Sequence, residues 1–295
     1  MTVKKLYADR KGVAGAIATM FILLIVLSFI NLYMIGYVPV YMKTQEYNHM
    51  QQLYGEFSAL QIQNYNLESG KWPYPMTATM VLGTPGSAPF ASPTNGRVSF
   101  SSTSFSASLS YQLKLAHSNV TEYYSINGSL STNVGNQYYT PQTVAYQGGA
   151  VILSQGSVAF VQEGPQLSVT KGSNGASITI NLISLIGRDF TVSGDGPVSL
   201  TSTYFSNRSV SFGSGEIGDL NLTIHSSYTE AWAKYLKQSF GKLQNVTGIQ
   251  KFPPTGTGGE GGEYSIEVSS NSIQLSIFNI TDLNIEIGYM QITSP

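Results

Sequence analysis

Residues 10–42, RKGVAGAIATMFILLIVLSFINLYMIGYVPVYM, decide how the rest of this chain is read. Arg10 and Lys11 close a basic leader that also holds Lys4 and Lys5. Gly12 follows, and no charge appears again before Lys43. About 20 apolar residues of helix cross the hydrocarbon core of a bilayer, so residues 13–38 are long enough to span it. Positive residues beside a membrane helix stay on the cytoplasmic side. The N-terminal flank is basic, whereas the C-terminal flank offers only Lys43, near Glu46. The expected topology is therefore N-terminus inside, with everything beyond Tyr41 outside the cell. Tyr33, Tyr37 and Tyr41 match an interfacial aromatic belt.

Three fates fit such a segment. A cleaved secretory signal has a shorter apolar region and a small-residue cleavage site after it; this run is longer and meets tyrosines and Pro39 instead. A plain anchor keeps its leader. In the third, the cut falls ahead of the apolar run. Arg10-Lys11-Gly12, then Val13 and an apolar run, resembles the class III signal of archaeal type IV pilins and archaellins. Residues 36–63, GYVPVYMKTQEYNHMQQLYGEFSALQIQ, are similar to the helix continuation of larger archaeal pilin-like surface proteins. The resemblance implies removal of residues 1–12 by a prepilin peptidase that cuts between Gly12 and Val13. It also implies, as partners, the membrane, the pilus assembly machinery, and other copies of this chain or related pilins. Bacterial type IV pilins usually carry a glutamate five residues into the mature helix, where Ile17 stands here; archaeal relatives often lack it.

The helix is expected over residues 13–68. Gly15, Ala18 and Thr19 place small residues three or four apart at its start, a spacing that lets apolar helices approach closely. Pro39 removes a backbone donor and, with Gly36, predicts a kink at the membrane exit. Beyond it Tyr47, Met50, Tyr54, Phe57 and Leu60 recur in steps of three and four, one apolar stripe of a helix. That stripe has to pack on the chain's own C-terminal part or on other copies. Residues 69–97, rich in Pro, Gly and Ser, read as a linker.

Residues 98–295 read as an extracellular antiparallel β-sandwich, Greek-key-like, with one short inserted helix. Phe105, Ala107, Leu109, Tyr111, Leu113 and Leu115 alternate with polar residues, which marks a strand with one buried face. Further strands are expected at 143–147, 149–154, 157–162, 165–170, 176–184, 189–193, 197–205, 208–212, 219–225, 264–269, 272–279 and 283–292. Asn127-Gly128, Gly148-Gly149 and Asn174-Gly175 read as hairpin turns. Residues 226–241 read as an amphipathic helix, starting at Ser227 or Thr229 and ending at Gly241. Its Trp232, Tyr235, Leu236 and Phe240 would form a lid on one end of the sandwich. Residues 252–262 read as a flexible loop.

Charged residues make up 11% of the chain and the net charge is −1, against a usual quarter or so charged. Nucleic acid is not an expected partner. There is no cysteine, hence no disulfide or thiolate chemistry. The low charge also raises the expectation of acid tolerance. His49, His117 and His225 lack metal-ligand spacing. The glycines at 213, 215 and 218, and at 256, 258 and 261, match a dinucleotide pattern in form only, since neither set joins a strand to a helix. No catalytic constellation and no cofactor site emerges. Glycosylation sequons stand at Asn119, Asn127, Asn207, Asn221, Asn245 and Asn279, all on the expected exterior. The expected function is structural and not enzymatic: a major or minor subunit of an archaeal type IV pilus-like filament, its β domain exposed for adhesion. The alternative is a membrane-anchored monomeric module that binds a sugar or an envelope partner.

Overall fold

The computed structural model describes residues 3–70, 74–87, 89–114, 119–172, 175–213, 217–244, 264–278 and 280–294. A single helical rod opens the chain. It comprises α1 (Val3–Leu32), a π-helical turn (Tyr33–Tyr37) and α2 (Val38–Glu68). From Val13 to Glu68 it spans 56 residues, about 84 Å at 1.5 Å per residue. Thr19 Oγ1 donates back to the carbonyls of Gly15 (3.1 Å) and Ala16 (2.9 Å), and Ser28 Oγ to Leu24 (2.7 Å). These two hydroxyls are thereby satisfied without a partner helix. Where a kink is expected from Gly36 and Pro39, the helix carries a π turn. Pro39 has no N–H, and its ring crowds the carbonyl four residues earlier. The backbone widens by one residue, and the Val38 N–H bonds the Tyr33 carbonyl. The rod stops where Gly70 adopts a positive φ of 69°, as helix C-termini commonly do.

Fourteen strands follow among the described residues: β1 (Met76–Val81), β2 (Gly96–Lys114), β3 (Asn119–Val134), β4 (Gln142–Gln147), β5 (Ala150–Gln155), β6 (Val158–Glu163), β7 (Gln166–Gly172), β8 (Gly175–Ile186), β9 (Phe190–Gly194), β10 (Pro197–Phe212), β11 (Ile217–Ser226), β12 (Tyr264–Val268), β13 (Ser272–Ile277) and β14 (Ile280–Thr293). The inserted helix α3 (Thr229–Gln244) lies between β11 and β12. One sheet has the order β1-β10-β14-β8-β7; the other runs β12-β13-β11-β2-β3-β4-β5-β6, with β9 also on β2. Strands β2 to β6 form a meander, and β11 returns to lie beside β2, a Greek-key-like connection. The chain is mainly β with a long N-terminal helix and a short inserted one.

Several details correct the sequence expectation. Strand β8 pairs with β14 in parallel, so the pairing is antiparallel-rich and not uniformly antiparallel. The expected linker 69–97 contains β1, paired with β10. Its Ala78 and Met80 are buried, while Thr77 and Thr79 face Thr201 and Ser199 across the strands. Expected strands 197–205 and 208–212 form one strand, interrupted by a register shift between Tyr204 and Ser206. Helix α3 passes through Gly241 to Gln244. Its Trp232, Leu236 and Phe240 are buried and pack into the core. The loop expected at 252–262 lies outside the described residues.

Asn127-Gly128 is the most instructive correction. It is not a turn but the middle of β3. There the pairing with β2 shifts between Ser101–Ser129 and Ser106–Asn127. Strand β8 passes over this point: the Asn127 N–H donates to Ser184 Oγ at 3.0 Å. A Cβ on Gly128 would stand 2.2 Å from the Leu185 carbonyl oxygen, and its φ is +91°. Glycine is therefore required by close backbone approach and a left-handed conformation.

Two apolar clusters fill the β domain. One holds Phe105, Ala107, Leu109 and Tyr111 of β2, Ile178, Ile180 and Leu182 of β8, and Trp232 of α3. The other holds Val98 and Phe100 of β2, Ile183 and Leu185 of β8, and Met290 and Ile292 of β14 around helix α2. Consecutive residues Leu182 and Ile183 thus point into different clusters. Because β2, β3, β8 and β14 serve both, the two clusters belong to one folding unit.

Candidate functional site: a bare apolar helix seated in the β domain

Every residue from Val13 to Tyr37 is exposed. Leu24 is 60% exposed, Phe29 68% and Leu32 69%, so no face of the helix is covered. A helix apolar all round belongs in lipid or among other apolar helices. One helix of the described chain is long and apolar enough to cross a membrane. The expected packing residues lie on this bare segment. Gly15 has nothing within 4 Å of where a Cβ would stand; Ala18 and Thr19 are likewise open. Pro39 follows the π turn at the boundary with the seated half. Val13 is 60% exposed. Of the residues expected to direct leader processing, Arg10, Lys11 and Gly12 continue the backbone of α1; their side chains lie outside the described residues.

At Val38 the surroundings change. Val38, Met42, Met50, Leu53, Phe57, Leu60 and Leu67 are buried at 2% exposure or less. The stripe is rotated from the expected one. Leu53 belongs to it, whereas Tyr47 is 45% exposed and packs edge-on against Tyr139. Tyr54 is half-buried.

Polar side chains share this buried face, and they engage the backbone of the sheets. Glu46 has no exposed surface. Its carboxylate accepts the N–H groups of Gln137 (2.9 Å), Tyr138 (2.8 Å) and Tyr139 (2.5 Å). His49 Nε2 donates to the Val81 carbonyl at 2.8 Å, and Glu56 accepts the Val81 N–H at 3.2 Å. The last residue of β1 thus finds its backbone partners on the helix. Gln61 Nε2 donates to the carbonyls of Gly149 (2.7 Å) and Gly164 (3.0 Å). Tyr65 donates to the Asn181 carbonyl and accepts from the Gln166 N–H. Tyr54 and Ser58 both donate to Glu163. Near the end of the helix, Asn181 Nδ2 bridges the carboxylates of Glu68 (3.2 Å) and Glu286 (3.1 Å).

Burial controls the electrostatics of this seat. It holds His49 below its ordinary value, against the pull of the Val81 bond and of Glu46. It raises Glu56 and Glu68, the latter also through Glu286. Tyr54 is pushed up to about 12, by burial first and then by Glu163. These groups hold a fold together. Among the described residues no cluster of three or more His, Asp or Glu is placed to bind a metal. An enclosed apolar void of about 10 Å³ borders Phe105, Trp232 and Leu236, too small for a ligand. His225 is exposed on β11. His117, Gly215 and Gly256–Gly261 lie outside the described residues.

The sequons differ in accessibility. Asn207 is exposed on β10. Asn127 is half-buried at the β8 crossing, with Ser129 of its sequon buried. Asn221 is half-buried within β11 and accepts a 2.6 Å bond from Ser276. The side chains of Asn119, Asn245 and Asn279 lie outside the described residues.

Sequence reasoning missed the polar half of the seat. The one signal present was the spacing of Glu46, His49, Leu53, Phe57, Leu60, Asn64 and Leu67 at three and four residues, which continues the helical period through polar positions. No curated protein and no solved structure matches the chain. A family profile matches residues 91–257, from the approach to β2 through α3 and beyond, and the chain accordingly belongs to DUF7289, a family of unknown function.

Proposed function

We propose that this chain is a structural subunit of a cell-surface filament of the type IV pilus kind. Residues 13–37 would pack among the same segment of neighbouring copies, with the β domain outward for adhesion or surface contact. The observation that carries this reading is the contrast along one helix: bare on every side before Val38, locked into a domain after it. Burying apolar surface is worth about 25 cal/mol per Å² relative to water. A bilayer supplies that environment to the precursor, and adjacent helices supply it after assembly. Lipid and helix are similarly apolar, so transfer between them depends on close packing, for which Gly15, Ala18 and Thr19 leave room.

The deciding measurement is the N-terminus of the protein isolated from native membrane or filament fractions. A start at Val13 is expected, together with filaments that vanish when the gene is deleted. A bulky residue in place of Gly12 should block maturation. A start at Met1 or Thr2 would instead describe an ordinary anchor with its N-terminus inside, and would sink the filament reading.

A further inference from the structure

The loop between β1 and β2 descends beside the helix. Val81, at its upper end, bonds His49. Phe90, at its lower end, packs edge-on against Tyr33 with ring centroids 5.3 Å apart. From His49 down to Tyr33 is about 24 Å along the helix axis. The loop is built to hold that reach. Thr84 and Thr94 are buried and clasp each other: the Thr94 N–H donates to the Thr84 carbonyl at 3.0 Å, and the hydroxyls meet at 2.6 Å. Lower down, Ser87 and Ala91 exchange backbone bonds of 2.9 and 2.8 Å.

The level it reaches is informative. A hydrocarbon core about 30 Å thick takes about 20 helical residues, which from Val13 ends at Leu32. Phe90 therefore stands at the outer boundary of the hydrocarbon. Tyr33, Tyr37 and Tyr41 stack beside it, with centroids 5.0 and 5.9 Å apart. The chain carries no charge from Trp72 to Gly96, and Pro85 and Pro89 of the loop are exposed. An uncharged, braced loop with an aromatic tip at this depth suits the boundary between headgroups and acyl chains.

We infer that loop residues 83–87 and 89–94 form a second membrane contact of the inserted protein, a foot whose tip at Pro89, Phe90 and Ala91 enters the outer leaflet beside the helix. With no cation in the loop, a bilayer of neutral lipid suffices. The inference rests on the membrane-span reading of residues 13–38, and the test separates the two. The chain has no cysteine, so single cysteines can be introduced into the full-length protein. Leu24→Cys reports on the span, Pro89→Cys and Ser92→Cys on the loop, and Tyr123→Cys on an exposed site beside the other core. Each is labelled with an environment-sensitive fluorophore, in phosphatidylcholine vesicles. Labels at 24, 89 and 92 should show blue-shifted emission and protection from aqueous iodide, with 89 and 92 quenched by shallow and 24 by deep lipid-borne nitroxide; the label at 123 should show unshifted emission and quenching by iodide. If 24 reports lipid while both loop labels behave like 123, the foot is refuted and the span stands. If 24 itself reports water, the span is refuted and the foot with it.

Discussion

Replacing Glu46 by alanine tests whether the helix is part of the domain or a stalk beneath it. The carboxylate is fully buried and accepts three backbone N–H groups, from Gln137, Tyr138 and Tyr139. A buried donor left without a partner costs about 1–3 kcal/mol, so three set a range of about 3–9 kcal/mol. Gln137 is exposed and Tyr138 and Tyr139 are half-buried, so water can reach part of the loop after the change. The lower part of the range, about 3–5 kcal/mol, is the expected loss. At about 2–4 °C per kcal/mol for a chain of this size, the melting temperature should fall by about 6–20 °C. Glu46→Gln should cost less, because its carbonyl can still serve Tyr138 and Tyr139 while its amide opposes the Gln137 N–H. Urea titrations of residues 38–295, followed by near-ultraviolet circular dichroism, give the energies. Hydrogen exchange of the 137–139 amides gives the local consequence. A loss under about 1 kcal/mol for the alanine variant, with those amides exchanging no faster than in the parent, would refute the reasoning.

Four further outcomes follow from the same geometry. A chain begun at Tyr74 should lose cooperative melting, because Met80, Phe100, Leu130 and Tyr146 pack in the cluster around α2; one begun at Val38 should keep it. His49 has a folded pKa below its usual 6.5, so the unfolded chain takes up the proton first and stability should fall as pH drops through that region. Glu56 and Glu68 are raised above 4.5 and act in the opposite sense, adding stability as pH falls through their folded values; melting curves of His49→Gln, which cannot titrate, should therefore lack the initial loss. Gly128→Ala should destabilise by more than the roughly 1–3 kcal/mol of a strained backbone alone, because its Cβ would meet the Leu185 carbonyl at 2.2 Å; a normal denaturation midpoint would contradict the crossing. Among Asn127, Asn207 and Asn221, glycopeptide mass spectrometry of native material should find Asn207 occupied most, as it alone is exposed; an Asn207 peptide of bare mass would count against this.

What could be read from the residues, and what could not, follows the range of the interactions. Phe105 to Leu113 alternates because one sheet face is dry and the other wet, and that local rule placed most strands correctly. Asn127-Gly128 misled because a glycine needed for a crossing strand carries the same letters as one needed for a turn. Nothing local to β3 announces that Ser184 and Leu185 will pass over it. Glu46 was illegible for a similar reason. A glutamate on a helix ordinarily faces water, and its partners are backbone amides about ninety residues later. Tyr47 was read as buried because it is large and aromatic; the true face runs through Glu46 and His49, which hydropathy disfavours.

The π turn at Tyr33–Tyr37 sets an angle as well as accommodating a proline. One extra residue in a helix turns everything beyond it by about 100° and advances it by about 1.5 Å. Below the turn lies the part that would contact neighbours, and above it the helix is gripped at Glu46, His49, Gln61 and Tyr65. With no slack between grip and turn, the azimuth of the β domain about the rod is fixed by residue count. Which flank of the domain would look outward in the proposed filament, and which sideways at a neighbouring copy, is therefore written in five residues of backbone.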